Sequence, residues 1–122
     1  MNKEELKEIL LEDLRKLVGD KVDSITDIVL GSYSKTFDGK YLVKEKKVVV
    51  YPYETKRKMY PYSKILSITL HEVCHHLQYM DPDFVRLKGI MHNVAFWNMY
   101  NELWEKADKM KLFERRIPYE TK

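Results

Sequence analysis

The chain has 122 residues, of which 44% are apolar and 34% charged, and its formal net charge is +3 from 22 basic and 19 acidic side chains. That length suits one domain able to bury a core without staples, and the charge excess is too small to argue for nucleic acid as a partner. One cysteine, Cys74, allows neither an intramolecular disulfide nor a four-cysteine zinc site and fits a reducing cytoplasm, and no apolar run approaches the roughly 18 residues of a membrane span.

Met1 to Asp13 is dense in Glu and Lys and does not read as a signal peptide. Asn2 can cap a helix, with Glu5 three residues on to complete a capping-box-like pair. Leu6, Ile9, Leu10, Leu14, Leu17 and Val18 recur at helical spacing, and Gly19 suits a C-terminal cap, so a helix is predicted over 3–18. From Ser24 to Glu54 the pattern turns to strands. Ile28 to Leu30 is β-prone, with Gly31 as a bulge or bend. Asp38-Gly39 reads as a hairpin turn between Tyr33–Phe37 and Tyr41–Val43, and Val48 to Tyr51 is a further strand ending at Pro52. Together these predict a small antiparallel sheet of three to four strands.

The basic clusters Lys44 to Lys47 and Lys56-Arg57-Lys58 read first as solvated loops, the second held between Pro52 and Pro61. A helix is expected to begin near Ser63 as N-cap and to stop at Asp81-Pro82. Its apolar residues, Ile65, Leu66, Ile68, Thr69, Val73, Leu77 and Met80, cover more than one face, which predicts burial. A connection with a turn at Gly89 leads to a last helix from about Asn93 to Met110, striped by Phe96, Trp97, Tyr100, Leu103, Trp104 and Ala107. Arg115-Arg116 and Pro118 read as a loosely held tail. The expected fold is α+β, one domain over 1–122 with its core over roughly 3–110 and a tail over 111–122.

Chemistry concentrates in His71-Glu72-Val73-Cys74-His75. Residues four apart on a helix lie on one face, so His71 and His75 can bind one metal ion. Glu72 then flanks the metal without ligating it, where it can deprotonate water as a general base. Three fixed residues match by chance in on the order of a few chains per thousand. Their place on a buried helix adds weight, because polar groups there need a partner or a purpose. The bland alternative is two histidines hydrogen-bonded within the core.

A catalytic zinc takes three protein ligands and an open position. His92, 17 residues after His75 and just before the last helix, is the best third ligand on spacing; Glu102 is the runner-up, and Asp81 and Asp83 are weaker. Cys74 reads as a buried inert thiol, and His76 as a histidine pointing away from the pair, either at the surface or supporting the ligands from behind. Tyr51, Tyr53, Tyr60, Tyr62 and Tyr100 are all open as stabilisers of a developing oxyanion.

With His71-Glu72-x-x-His75 followed by His92-Asn93-Val94-Ala95-Phe96-Trp97, the chain resembles the SprT-like metallopeptidases and the small YgjP-like group, over roughly residues 25–110. The resemblance implies a minimal zincin-like fold, Zn2+ on His71, His75 and His92, and Glu72 as general base. It further implies a peptide or protein substrate paired with the strand just before the active helix. Two features depart from the family. No cysteines are present for the zinc ribbon that often follows, and no DNA-binding element of the kind some relatives carry is visible, so a DNA-linked role does not transfer. Met91 precedes His92 and no proline or glycine follows it, so the local turn differs too.

The leading expectation is therefore a zinc metallopeptidase. A non-catalytic metal-binding or interaction module on a peptidase-like scaffold is the alternative, and Glu72 speaks against it because a pure metal site needs no such carboxylate. A nucleic-acid-binding domain is the third class, resting on the two basic clusters alone.

Overall fold

A computed structural model describes residues 2–83 and 92–117. The expected connection through Gly89 and Met91, and the end of the tail from Pro118, lie outside the described residues.

Helix α1 spans Lys3–Val18, as its periodicity predicts. The Asn2 side chain accepts from the Glu5 backbone N–H at 2.8 Å, and Gly19 closes the other end at φ 61°. Leu6, Leu10, Leu14 and Leu17 form its buried face, each a turn from the next. A 3-10 segment, Gly19–Ser24, then leads into the sheet.

Strands β1 (Asp27–Leu30), β2 (Gly39–Leu42) and β3 (Lys47–Val50) form a three-stranded sheet in the order β1-β3-β2. The fold is α+β as expected, but the sheet is mixed. β2 and β3 are antiparallel, whereas β1 runs parallel to β3 with Ile28 opposite Val48 and Leu30 opposite Val50. The reason is that β3 inserts between its two predecessors, and the chain leaving β1 must return before it pairs.

The predicted hairpin is also displaced. Among Tyr33–Phe37 no strand forms, and Asp38-Gly39 is the entry to β2 rather than a turn. The turn lies instead at 43–46, within the first basic cluster, with Lys46 in the left-handed region at φ 53°. The second basic cluster sits at a small hairpin, β4 (Tyr53–Thr55) and β5 (Lys58–Met59), rather than in a plain loop.

Helix α2 spans Tyr62–Met80 and is buried over much of its girth. It starts one residue before the expected cap: Pro61 is the N-cap, its carbonyl accepting from Lys64 and Ile65, and Ser63 lies in the first turn. Proline presets the backbone for helix entry. The Tyr62 hydroxyl, donating to the buried Asp13 carboxylate at 2.6 Å, anchors that first turn to α1. Asp81 ends the helix, with Pro82 next, as expected. Buried Thr69 donates back to the Ile65 carbonyl at 2.8 Å, so its hydroxyl is not left unpaired.

Helix α3 spans Val94–Lys109, capped by Asn93, whose side chain accepts from the Phe96 N–H at 2.9 Å. Of its predicted stripe, Phe96 and Ala107 are buried, Tyr100 and Leu103 half-buried, and Trp97 and Trp104 exposed. The predicted loose tail is corrected for its first half. Leu112 and Ile117 join the core, and Arg115 binds Asp13 of α1. Among the described residues no helix is long and apolar enough to cross a membrane.

Candidate metal centre

The i, i+4 spacing on α2 puts His71 and His75 side by side, with ring centroids 5.1 Å apart. His92 arrives from the residue before the α3 cap. Its Nε2 lies 3.0 Å from Nε2 of His71 and 3.0 Å from Nε2 of His75. Two local devices hold it there. The Asn93 cap fixes the backbone one residue on, and the His92 ring packs on Trp97 at 5.7 Å, across the helix start as a hydrophobic staple does. Beneath the three imidazoles the buried ring of Phe96 forms a floor, with centroids 4.9, 4.6 and 4.8 Å from His71, His75 and His92.

Three histidine nitrogens thus converge closely enough to hold a metal ion. One ring nitrogen has a single lone pair or a single proton, so His92 Nε2 cannot make two good hydrogen bonds with its two like neighbours. A cation accepts all three lone pairs at once. Ligands at about 2.0–2.1 Å in tetrahedral array stand about 3.3 Å apart, close to the observed spacing. Burial, then neighbouring His92, holds the His71 imidazole below its usual value. Burial, then His71 and His92, pushes His75 down to about 4. Both rings are therefore neutral near pH 7, the form that ligates.

Glu72 is on the same helix, one position on from His71, and only 7% exposed. Burial raises its carboxyl to about 7. Its side chain lies against Gly39 of β2. A side chain at Gly39 would bring its Cβ to 3.1 Å from Glu72 Cγ and 2.8 Å from Ile68 Cγ2. Cys74 is buried, its thiol pushed up to about 12 by burial and by Glu72, consistent with an inert thiol.

The other sequence candidates are not brought in. Glu102, Asp81 and Asp83 are exposed and outside the histidine group, and Asp81 serves a turn by accepting from the Asp83 N–H at 2.9 Å. Among the five tyrosines, Tyr100 contacts the cluster, its ring 6.0 Å from His71. Tyr62 is engaged with Asp13 and Tyr60 with Asp38, while the rings of Tyr51 and Tyr53 lie under Lys40 and Lys3.

His76 departs most from its sequence reading. It is fully buried, with Ser24 Oγ 2.7 Å from Nε2 and the Tyr41 hydroxyl 2.7 Å from Nδ1. Burial and nearby Lys46 hold it below its usual value. Neither this histidine nor Gly39 was singled out by spacing. The only signal was a second histidine directly after His75, and a glycine that looked like part of a turn.

No protein-family model, curated protein or solved structure matches the chain.

Proposed function

We propose that the chain is a zinc-dependent peptidase. The observation that carries this reading is a buried carboxylate, Glu72, on the same helix turn as His71 and His75, whose Nε2 atoms each lie 3.0 Å from Nε2 of His92. Three imidazoles are a donor set suited to zinc, with room for a fourth position. Zinc, when bound, acidifies water and polarises a carbonyl. Glu72 supplies the proton transfers: it takes a proton from the attacking water and returns it to the leaving amine. Its raised value places it near the operating pH of such a base. Phe96 and the half-exposed Trp97 wall off water on the α3 side.

The substrate would bind as an extended chain. The resemblance points to the strand before the active helix, read from sequence as Val48 to Tyr51; that strand is β3, and it has both sides paired, by β1 and β2, while the short β4–β5 hairpin intervenes before α2. Among the described residues β1 and β2 are the two edge strands, and β2 is the one that meets Glu72 at Gly39. Its outer edge, on the side away from β3, would offer backbone groups to a peptide with little demand on side chains. The lone buried cysteine fits a cytoplasmic setting.

The test is peptide-library cleavage by zinc-loaded wild type beside Glu72→Gln. Cleavage should fall on the order of a hundredfold or more while metal content stays the same. Equal turnover by both proteins, or none by either, would leave a metal-binding module as the better reading.

A further inference from the structure

His76 sits next to a candidate metal ligand yet turns away from the metal. Both its ring nitrogens are used, and its partners come from two distant segments. Ser24 ends the 3-10 segment after α1, and Tyr41 is on β2. The proton positions follow from satisfying every contact. Ser24 Oγ donates to the Lys21 carbonyl at 2.7 Å, which commits its one proton. It must then accept from His76 Nε2–H, leaving Nδ1 bare to accept from the Tyr41 hydroxyl. The result is one directed chain, Tyr41 to His76 to Ser24 to Lys21 carbonyl, running from half-buried Tyr41 through the buried imidazole to the surface at Lys21.

That chain ends on the strand that borders the base. Gly39 and Tyr41 are two apart in β2 and so share a face. Glu72 and His76 are four apart in α2 and share a face too. Gly39 meets Glu72, and Tyr41 meets His76. Two strand residues advance about 6.8 Å, and four helical residues about 6.0 Å. Strand and helix are thus matched in step, and the His76 bond fixes which step is used. Among the described residues β2 pairs with β3 alone, so its register on α2 depends on such side-chain contacts.

We infer that His76 is a positioning residue: through Tyr41 it locks strand β2 onto α2, so that a peptide laid along β2 on the side away from β3 is in register with Glu72 and the three histidines. This rests on the peptidase reading above. Ser24 anchors the far side of the ring and keeps it in the tautomer that accepts from Tyr41.

The test uses the full chain, with Tyr41→Phe as the primary variant and His76→Asn as the second, since the buried imidazole is the change more apt to unfold the protein. Arg115→Ala, which acts at the Asp13 contact on α1, is the control for general destabilisation. Hydrogen exchange of the Lys40 to Leu42 amides is followed beside zinc content and peptide kinetics. Tyr41→Phe should speed exchange in β2 and raise KM by about five- to tenfold, the size of one lost hydrogen bond, with kcat and zinc content near wild type. Arg115→Ala should leave KM unchanged. Unchanged β2 exchange in Tyr41→Phe would overturn the lock, and faster exchange without a rise in KM would overturn its role in substrate placement. Wild type that shows no Glu72-dependent cleavage would sink the peptidase reading and the placement role with it, while the exchange data alone still decide whether His76 holds β2.

Discussion

Gly39 lies against Glu72 with no space for even a methyl group between strand β2 and helix α2: a Cβ would stand 2.8 Å from Ile68 Cγ2 and 3.1 Å from Glu72 Cγ. Ile68 is buried and β-branched, so it yields poorly. Gly39→Ala should therefore lower stability by about 1–3 kcal/mol through overpacking. Because the added atom also pushes on the base, peptide cleavage should fall more than stability alone accounts for. Chemical denaturation and kinetics on the zinc-loaded protein separate the two, and an alanine variant with wild-type turnover would contradict the close packing.

The metal centre predicts a defined stoichiometry. Purified protein loaded with zinc should hold about one ion per chain, as three converging imidazoles allow. His71→Ala and His92→Ala should each lose most of that metal, and Glu102→Ala should keep it, since Glu102 is exposed and outside the group. Elemental analysis after dialysis reads the result. Loss of zinc in Glu102→Ala with retention in His92→Ala would reverse the ligand assignment.

Glu72 makes the chelator-treated protein sensitive to alkali. Burial raises its carboxyl from 4.5 to about 7, so between these values the folded chain keeps a proton that the unfolded chain has released. The stability this group contributes is full below about pH 4.5 and is lost as pH rises through about 7. Glu72→Gln removes that dependence. In thermal melts with chelator, the two proteins should match near pH 5, and the variant should be the more stable by roughly 3 kcal/mol near pH 8. His71 and His75, whose burial works in the opposite sense as pH falls, are common to both proteins and drop out of the difference. Zinc should shrink the gap, because a nearby cation favours the carboxylate.

The contact between Asp13 and Arg115 predicts that the segment after α3 is a structural strap. Asp13 is fully buried; Arg115 donates to both its oxygens at 2.9 and 3.2 Å, and Tyr62 donates at 2.6 Å. Removing one partner of a buried ion pair strands the other charge. Arg115→Ala should cost about 3 kcal/mol in urea unfolding, with zinc content unchanged. A change below about 0.5 kcal/mol, as at an ordinary surface position, would show that the strap bears no weight.

The sequence alone settled whatever depends on neighbours within a turn or two. The leucine spacing and the Asn2 and Gly19 caps define α1, and Asp81-Pro82 ends α2. The four-residue interval places His71 and His75 together, and the last helix begins close to Asn93, as its apolar spacing predicts. These are interactions of short range, with partners written nearby in the chain. Contacts between distant segments were decided only in three dimensions. Strand β3 slides between β1 and β2, which makes one pairing parallel and leaves β2 as the edge beside the base. His92, named from spacing beside Glu102, is the one of the two that joins the histidine pair; Arg115 reaches back to Asp13, and His76 joins Ser24 and Tyr41, with no such signal in the sequence. Period and propensity carry no record of which distant faces meet, because that choice is made by how all the buried surfaces fill space together. Gly39 shows the difference most plainly: in sequence it belongs to a turn dipeptide, and in the fold it is the gap that lets a strand lie against Glu72.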